Sequence, residues 1–352
     1  MRYLTILAAV GLVLALSATA GEAQAITIDM VTVGNPGNAA DMRYNLEPQY
    51  HHTAGYGAVS YAYNIGKYEV TAGQYTAFLN AVGATDTYAL YNTDMWNSTV
   101  SQGIARSGSS GSYTYSVTDP FTNRPISKVS WGDAARFTNW LANGQPTGAQ
   151  NASTTEDGSY YLNGAVTDAA LLLVTRKANA TWVLPTEDEW YKAAYYNPAT
   201  GTYFNYPTSN DTAPGQDPAD STGNNANWGG IDAYDTTKVG EFQNSTSAYG
   251  TFDQGGNLWE WDEDMFRAKS GGSGDDDPLI MGDPAYRGYR GGSYQDTTDM
   301  LRAWYRNENI PTLERMAIGF RVSAPVPEPL TMAGVFLGIG GIAGYIRRRR
   351  MA

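Results

Sequence analysis

Hard oxygen donors dominate the residues that could do chemistry in this sequence. Residues 251–264 read TFDQGGNLWEWDED, placing Glu260 between Trp259 and Trp261 a few residues after Asp253. Side chains alternate along an extended stretch, so both indoles can enter a core while Glu260 faces the other way. The glycines at 255 and 256 let the preceding loop turn its carbonyls inward. Asp296 and Asp299 form a further carboxylate pair in QDTTDM. Such a pair can do acid–base work, although acids in a loop are more commonly just solvated. The acidic run GGSGDDD at 271–277 can attract cations and reads as a solvated loop. His51 and His52 are the only histidines. Adjacent and without a third ligand, they read as surface residues rather than a metal site. The chain has no cysteine, which excludes thiolate catalysis, disulfides and a soft Cu(I) site. No Ser-His-Asp set is visible as a motif, and no GxxxxGK[ST] phosphate loop occurs.

Short helices and brief strands must position these groups. TAGQ at 71–74 is a capping-box pattern, and Tyr75, Phe78, Leu79 and Val82 follow it at i, i+3, i+4, i+7. SWGD at 130–133 opens a second helix with Ala134, Phe137, Trp140 and Leu141 on one face. Pro185-Thr186 with Glu189 opens a third, with Trp190, Ala193 and Ala194 facing inward. Helices this short depend on packing. Strands are expected over 61–65, 182–184, 289–293 and 319–322. Loops are expected over 107–112, 142–158 and 197–227, the last rich in Pro, Gly, Asn and Asp. Loops that long in one body imply a functional role or stapling by ions.

Among 352 residues there are 26 Tyr, 9 Trp and 39 Gly, and only 16% charged residues, which suits short strands and ordered loops better than helical bundles. Both ends read as sorting signals. Residues 1–25 carry Arg2, an apolar run and Ala23-Gln24-Ala25, the pattern of a signal peptide. At 325–352, VPEP precedes an apolar segment at 330–346 and four arginines at 347–350. That segment is barely long enough to span a bilayer, with its arginines on the cytoplasmic side. One domain is expected over 26–324. Without Arg2, Glu22, Glu328 and the four terminal arginines, 18 basic and 33 acidic residues remain, a net charge of −15. That balance excludes nucleic acid and anionic membrane as partners and is compatible with cations.

Two resemblances add to this reading. The C-terminus resembles the PEP-CTERM sorting tail of Gram-negative bacteria, which implies processing by an exosortase, a transient inner-membrane anchor and final residence at the cell surface, outer membrane or extracellular matrix. A plain single-pass anchor is the alternative. The body carries YNIGKYEVTAGQYTAFLNAV (63–82), RPISKVSWGDAARFTNWL (124–141), WVLPTEDEWYKAA (182–194), GGNLWEW (255–261), YRGGSY (289–294) and IGFRV (318–322). In this order they resemble the formylglycine-generating enzyme family, or sulfatase-modifying factor domain. The resemblance implies an α+β fold, a variant of the C-type lectin fold, loop-rich with short strands and about three short helices.

The resemblance also implies structural calcium, held by hard oxygens. Asp253, Gly256, Leu258 and Glu260 match one family site of two side chains and two carbonyls; the alternative for Glu260 is a cap or salt bridge. Asn227 and the Trp228 carbonyl match a second, with Asp232 or Asp235 as candidate carboxylate. The family oxidises a sulfatase cysteine with two copper-binding thiols placed shortly after Arg-Gly-Gly-Ser. This chain has Asp296, Thr297, Thr298 and Asp299 there, so no copper is expected and the oxidation should be lost. What remains is a binding surface of Arg302, Trp304, Arg306, Asn307 and Asn309, suited to a glycan or peptide. Arg302 and Arg306 can equally pair with buried acids, and Arg321 reads as structural. The expected function is an exported, non-catalytic, calcium-stabilised lectin-like binding or structural module. The alternative is a divergent oxidoreductase, or another enzyme using the same pocket.

Overall fold

The computed structural model describes residues 25–44, 55–96, 103–230, 235–267 and 285–326. His51, His52, Asp232, the 271–277 loop, the leader over 1–24 and the tail from 327, with its apolar segment at 330–346, lie outside the described residues. Among those described, no helix is long and apolar enough to cross a membrane.

Four helices occur among the described residues, and three start where the sequence carries a reciprocal cap. α1 (Ala72–Val82) is capped by Thr71 and Gln74, and α2 (Trp131–Ala142) by Ser130 and Asp133. A short α3 (Asp168–Leu172) follows, and then α4 (Glu187–Tyr195), capped by Thr186 and Glu189. Each box satisfies two backbone N–H groups that the first turn leaves without partners. Tyr75, Phe78, Leu79 and Val82 are all buried, as spacing along one helical face requires. Phe137 of α2 meets Phe78 edge-on at 5.3 Å and Phe320 at 5.4 Å. The principal core therefore lies between α1, α2 and the C-terminal strands.

The strands are short and sorted into small sheets. β1 (Met30–Val33) pairs antiparallel with β2 (Tyr63–Gly66), which also pairs with β11 (Ser323–Pro325). Hairpins join β3 (Ile104–Ser107) to β4 (Thr114–Val117) and β5 (Tyr196–Asn197) to β6 (Thr202–Tyr203). The sheet that carries the site has the order β10-β7-β8-β9. Its members are β7 (Trp259–Arg267), β8 (Ala285–Arg290), β9 (Asn307–Asn309) and β10 (Ile318–Gly319). β7 pairs antiparallel with β8 and parallel with β10, the latter through Ile318 opposite Trp259 and Gly319 opposite Glu260. The chain is thus mixed α and β, with few helices and several small sheets.

Some expected strands differ. Residues 182–184 form no strand, only the single bridge of Val183 to Ser323 on the edge of β11 away from β2. The strand expected at 289–293 lies earlier, ending at Arg290, where Gly291 and Gly292 take positive φ and leave the sheet. The stretch expected at 319–322 is interrupted. Phe320, Arg321 and Val322 belong to no strand and are fully buried between β10 and β11 in the chain.

Candidate functional site

The GGNLWEW stretch enters the sheet at Trp259, and its alternation is the expected one. Trp259 and Trp261 both pack edge-on against Tyr289, at 5.3 and 5.2 Å between ring centres. Trp261 Nε1 donates to the Val129 carbonyl at 3.1 Å, and Trp259 Nε1 to Asp296 Oδ2 at 2.8 Å. Glu260 points to the opposite side. There its Oε2 accepts from Trp190 Nε1 at 2.7 Å and Arg321 Nε at 2.5 Å, while Oε1 accepts from Arg321 Nη2 at 2.6 Å. Both partners are fully buried. A bidentate guanidinium is therefore a partner of Glu260, the salt-bridge alternative read from the sequence. Arg321 reaches the Gly66 and Phe252 carbonyls as well, each at 2.9 Å, tying β2 to the 252–261 loop.

Sequence reasoning missed a third acid here, Glu69, hidden in the run KYEVTAGQ as an ordinary strand-to-helix residue. Its Oε2 accepts from Asn257 Nδ2 at 3.0 Å and its Oε1 from Leu258 N at 3.2 Å. Asp253 Oδ2 accepts from Gly240 N at 2.6 Å. Burial, then the Asp253 and Glu260 charges, hold the Glu69 carboxyl well above the usual carboxylate range, against the pull of Arg321. Burial likewise pushes Asp253 up to about 6, with Glu260 adding to the rise and the Gly240 N–H and Arg321 opposing it. Two buried carboxylates, Glu69 and Glu260, and the half-buried Asp253 thus bear on one guanidinium.

The loop backbone is shaped accordingly. Asp253 has φ 60° and Gly256 φ 85°, and any Cβ at Gly256 would strike the Asn227 carbonyl. No loop or side-chain hydrogen bond among the described residues ends on the carbonyl oxygens of Gly256 or Leu258. Hard oxygens carrying excess negative charge have the donor chemistry of a calcium-type ion. As they stand, however, the side chains are tied to protein donors. Among the described residues no group of three or more carboxylate, histidine or cysteine side chains is disposed to hold a metal by itself. An ion here would need the two carbonyls.

At the second expected site Asn227, Trp228 and Asp235 have protein partners, and Asp232 lies outside the described residues. Asn227 Nδ2 donates to the Asp235 backbone carbonyl at 3.0 Å, the Trp228 carbonyl accepts from Gln216 Nε2 at 2.5 Å, and Asp235 Oδ2 pairs with Arg124 at 2.8 Å. Asn227 and Asp235 thus meet directly, and the Asn227 backbone lies against Gly256.

Beyond the Trp259 face lies a cleft of about 360 Å³, lined by Trp259, Tyr289, Tyr305, Met300, Ser293 and Asp296, with Lys128, Glu314 and Arg315 also contributing. Asp296 Oδ2 is saturated by three donors: Ser293 Oγ at 2.6 Å, Ser293 N at 2.9 Å and Trp259 Nε1 at 2.8 Å. The carboxylate is thus held rigidly on the cleft wall. Of the residues expected to bind ligand, Asn307 lines this cleft. Asn309 is two residues further along β9, and Trp304 packs on Tyr305 with ring centres 5.2 Å apart. Arg306 turns inward to Glu187 Oε2 at 3.2 Å, beside Arg290, which holds Glu187 Oε1 at 2.6 Å. Arg302 pairs with Asp299 at 3.2 Å and lies over the Tyr206 ring. Arg306 therefore takes the buried-acid alternative, whereas the Arg302 pair is exposed at the surface.

Comparison with known proteins places these features in context. A family model described as the sulfatase-modifying factor enzyme 1-like domain matches residues 21–325. Hercynine oxygenase of Mycolicibacterium thermoresistibile is 33% identical over 172 residues, covering 45% of this chain and 36% of that protein. Hercynine oxygenase of Mycobacterium tuberculosis is 32% identical over 155 residues, covering 42% and 34%. The chain thus spans about a third of the length of these curated relatives. Among solved structures, Treponema denticola variable protein 1 superposes with a TM-score of 0.51 at 20% identity, covering 84% of this chain and 95% of that one. That likeness is one of fold.

Proposed function

The chain belongs to the sulfatase-modifying factor enzyme 1-like family, and from that premise we propose that it is an exported binding module which keeps the family scaffold without its copper-dependent oxidation. In this reading the fold is the family's variant of the C-type lectin fold, residues 26–324 are the working domain, and residues 1–25 are a leader. The tail over 325–352 is processed by an exosortase, and the domain is displayed at the cell surface or in the extracellular matrix. One observation carries the proposal: an aromatic-walled cleft with a rigidly held carboxylate persists in a chain with no thiol. Copper does not fit these residues, since Cu(I) needs soft ligands and thioethers are the only sulfur present.

Calcium belongs to the proposal as a structural ion. Asp253, Glu69 and the Gly256 and Leu258 carbonyls would hold it, with Glu260 close enough to act on both carboxyls electrostatically. When bound, the ion would neutralise buried carboxylates and staple the 253–258 loop to the segment before α1. The ligand of the cleft is a saccharide or a peptide-like molecule. The names of the relatives favour a second reading, a divergent oxygenase in the same cleft. A glycan, peptide and small-amine array probed with the purified chain tests the first reading. Retention of a ligand class is expected, and blank arrays both with and without calcium would refute it.

A further inference from the structure

We infer that a second groove, which shares no lining residue with the Trp259 cleft, binds a neutral oligosaccharide, whatever the cleft itself holds. It lies between the segment leading into β1, the start of α1 and the 238–243 loop, and its volume is about 980 Å³. That is the upper end of the range of about 300–1,000 Å³ usual for ligand clefts, with room for more than one sugar ring. Main-chain accounting argues against a peptide strand as the occupant, since an extended peptide needs a free edge to pair with. Here the walls have already spent their backbone groups. Ile26 N donates to Gln145 Oε1 at 2.7 Å, and the Ile26 carbonyl accepts from Gln145 Nε2 at 2.9 Å. The Thr27 carbonyl accepts from Gln74 Nε2 at 2.9 Å and the Asp29 carbonyl from Lys67 N at 2.8 Å. On the 238–243 loop, Val239 N donates to the Asn123 carbonyl at 2.9 Å and Gly240 N to Asp253 Oδ2 at 2.6 Å.

What the groove leaves free is side chains. Thr27, Tyr68, Thr122, Asn123 and Gln243 line it, and among the described residues their side-chain polar atoms make no hydrogen bond to protein. Hydroxyls and amides that both donate and accept match a ligand that is itself a row of hydroxyls. The charged side chains of the lining, Asp29, Lys238 and Glu241, carry both signs, so no single-sign field selects an ion. The half-buried Tyr68 adds aromatic surface for the C–H face of a sugar. Gly240, at φ 72°, lies against its ring, where a Cβ would collide with Tyr68 Cε1. The hydrogen bonds that occupy the backbone also hold the walls in place, so little ordering is left for the ligand to supply.

The test is calorimetric titration of the intact chain with cellotriose, chitotriose, maltotriose and a blocked tetra-alanine peptide, at low and at high salt. At least one trisaccharide is expected to saturate, with an affinity that salt does not change, and the peptide is not. Asn123→Ala combined with Gln243→Ala should weaken that trisaccharide at least tenfold and leave Tm unchanged, because neither side chain has a protein partner to lose. Thr27→Val, likewise without a partner to lose, decides the matter if the double variant does not fold, and should weaken binding several-fold. Undiminished trisaccharide affinity in the folded variants would overturn the inference and leave the binding-module reading intact. Saturation by the peptide alone would overturn it as well. So would silence from all four probes, whereas a ligand retained on the arrays would then still support the cleft.

Discussion

Replacing Asp253 by Asn should stabilise the calcium-free protein at pH 8 and leave it unchanged at pH 4. Burial raises this carboxyl from its ordinary value near 3.9 to about 6. An acid whose folded pKa lies above its unfolded one opposes folding once it must ionise. The cost is absent below about pH 4, grows as pH rises through 6, and stays constant above that. Two pKa units correspond to roughly 3 kcal/mol. Asn removes the charge yet can still accept from the Gly240 N–H, so Tm should rise by about 6 °C in chelator at pH 8. Added calcium reverses the order, because the ion binds only the native wild-type site and stabilises it by mass action. Differential scanning calorimetry at pH 4 and 8, with chelator and with calcium, measures all four values. Equal destabilisation of the variant in every condition would refute the reasoning. It would mean that the Asp253 carboxylate contributes only its hydrogen bond.

Three further outcomes follow from the same geometry. Glu260→Gln removes the bidentate partner of the buried Arg321 guanidinium, so denaturant unfolding should show a loss of about 3–5 kcal/mol with or without calcium. Phe137→Ala opens a void among Tyr75, Phe78, Trp140 and Phe320 and should cost about 3–5 kcal/mol by the same assay. Gly256→Ala forces a positive φ and a clash with the Asn227 carbonyl; circular dichroism melting should show a lower Tm and a smaller calcium-dependent increment than wild type.

The helices were legible because caps and one-sided apolar spacing are local signals. Thr71 with Gln74, Ser130 with Asp133 and Thr186 with Glu189 each announce a start within four residues, and the structure begins helices there. The alternation at Trp259, Glu260 and Trp261 was legible for the same reason. What Glu260 meets was not, since Arg321 lies 61 residues away in sequence. Glu69 was missed because nothing in KYEV distinguishes an acid that folds back over Asn257, a contact 188 residues away. The partner of Arg306 was not legible either, because Glu187 is an ordinary helix-start residue in the sequence, far from position 306. Short strands such as β3 and β4 escaped because their pairing is set by tertiary context rather than by periodicity.

A family scaffold without thiols should bind in its cleft and leave a sulfatase cysteine untouched. The direct measurement is incubation of the purified chain with copper, oxygen and a cysteine-bearing sulfatase peptide, following oxygen uptake and peptide mass together. The account predicts no enzyme-dependent oxygen uptake and an unaltered cysteine side chain. Conversion of that cysteine to an aldehyde, with oxygen consumed in proportion, would contradict it.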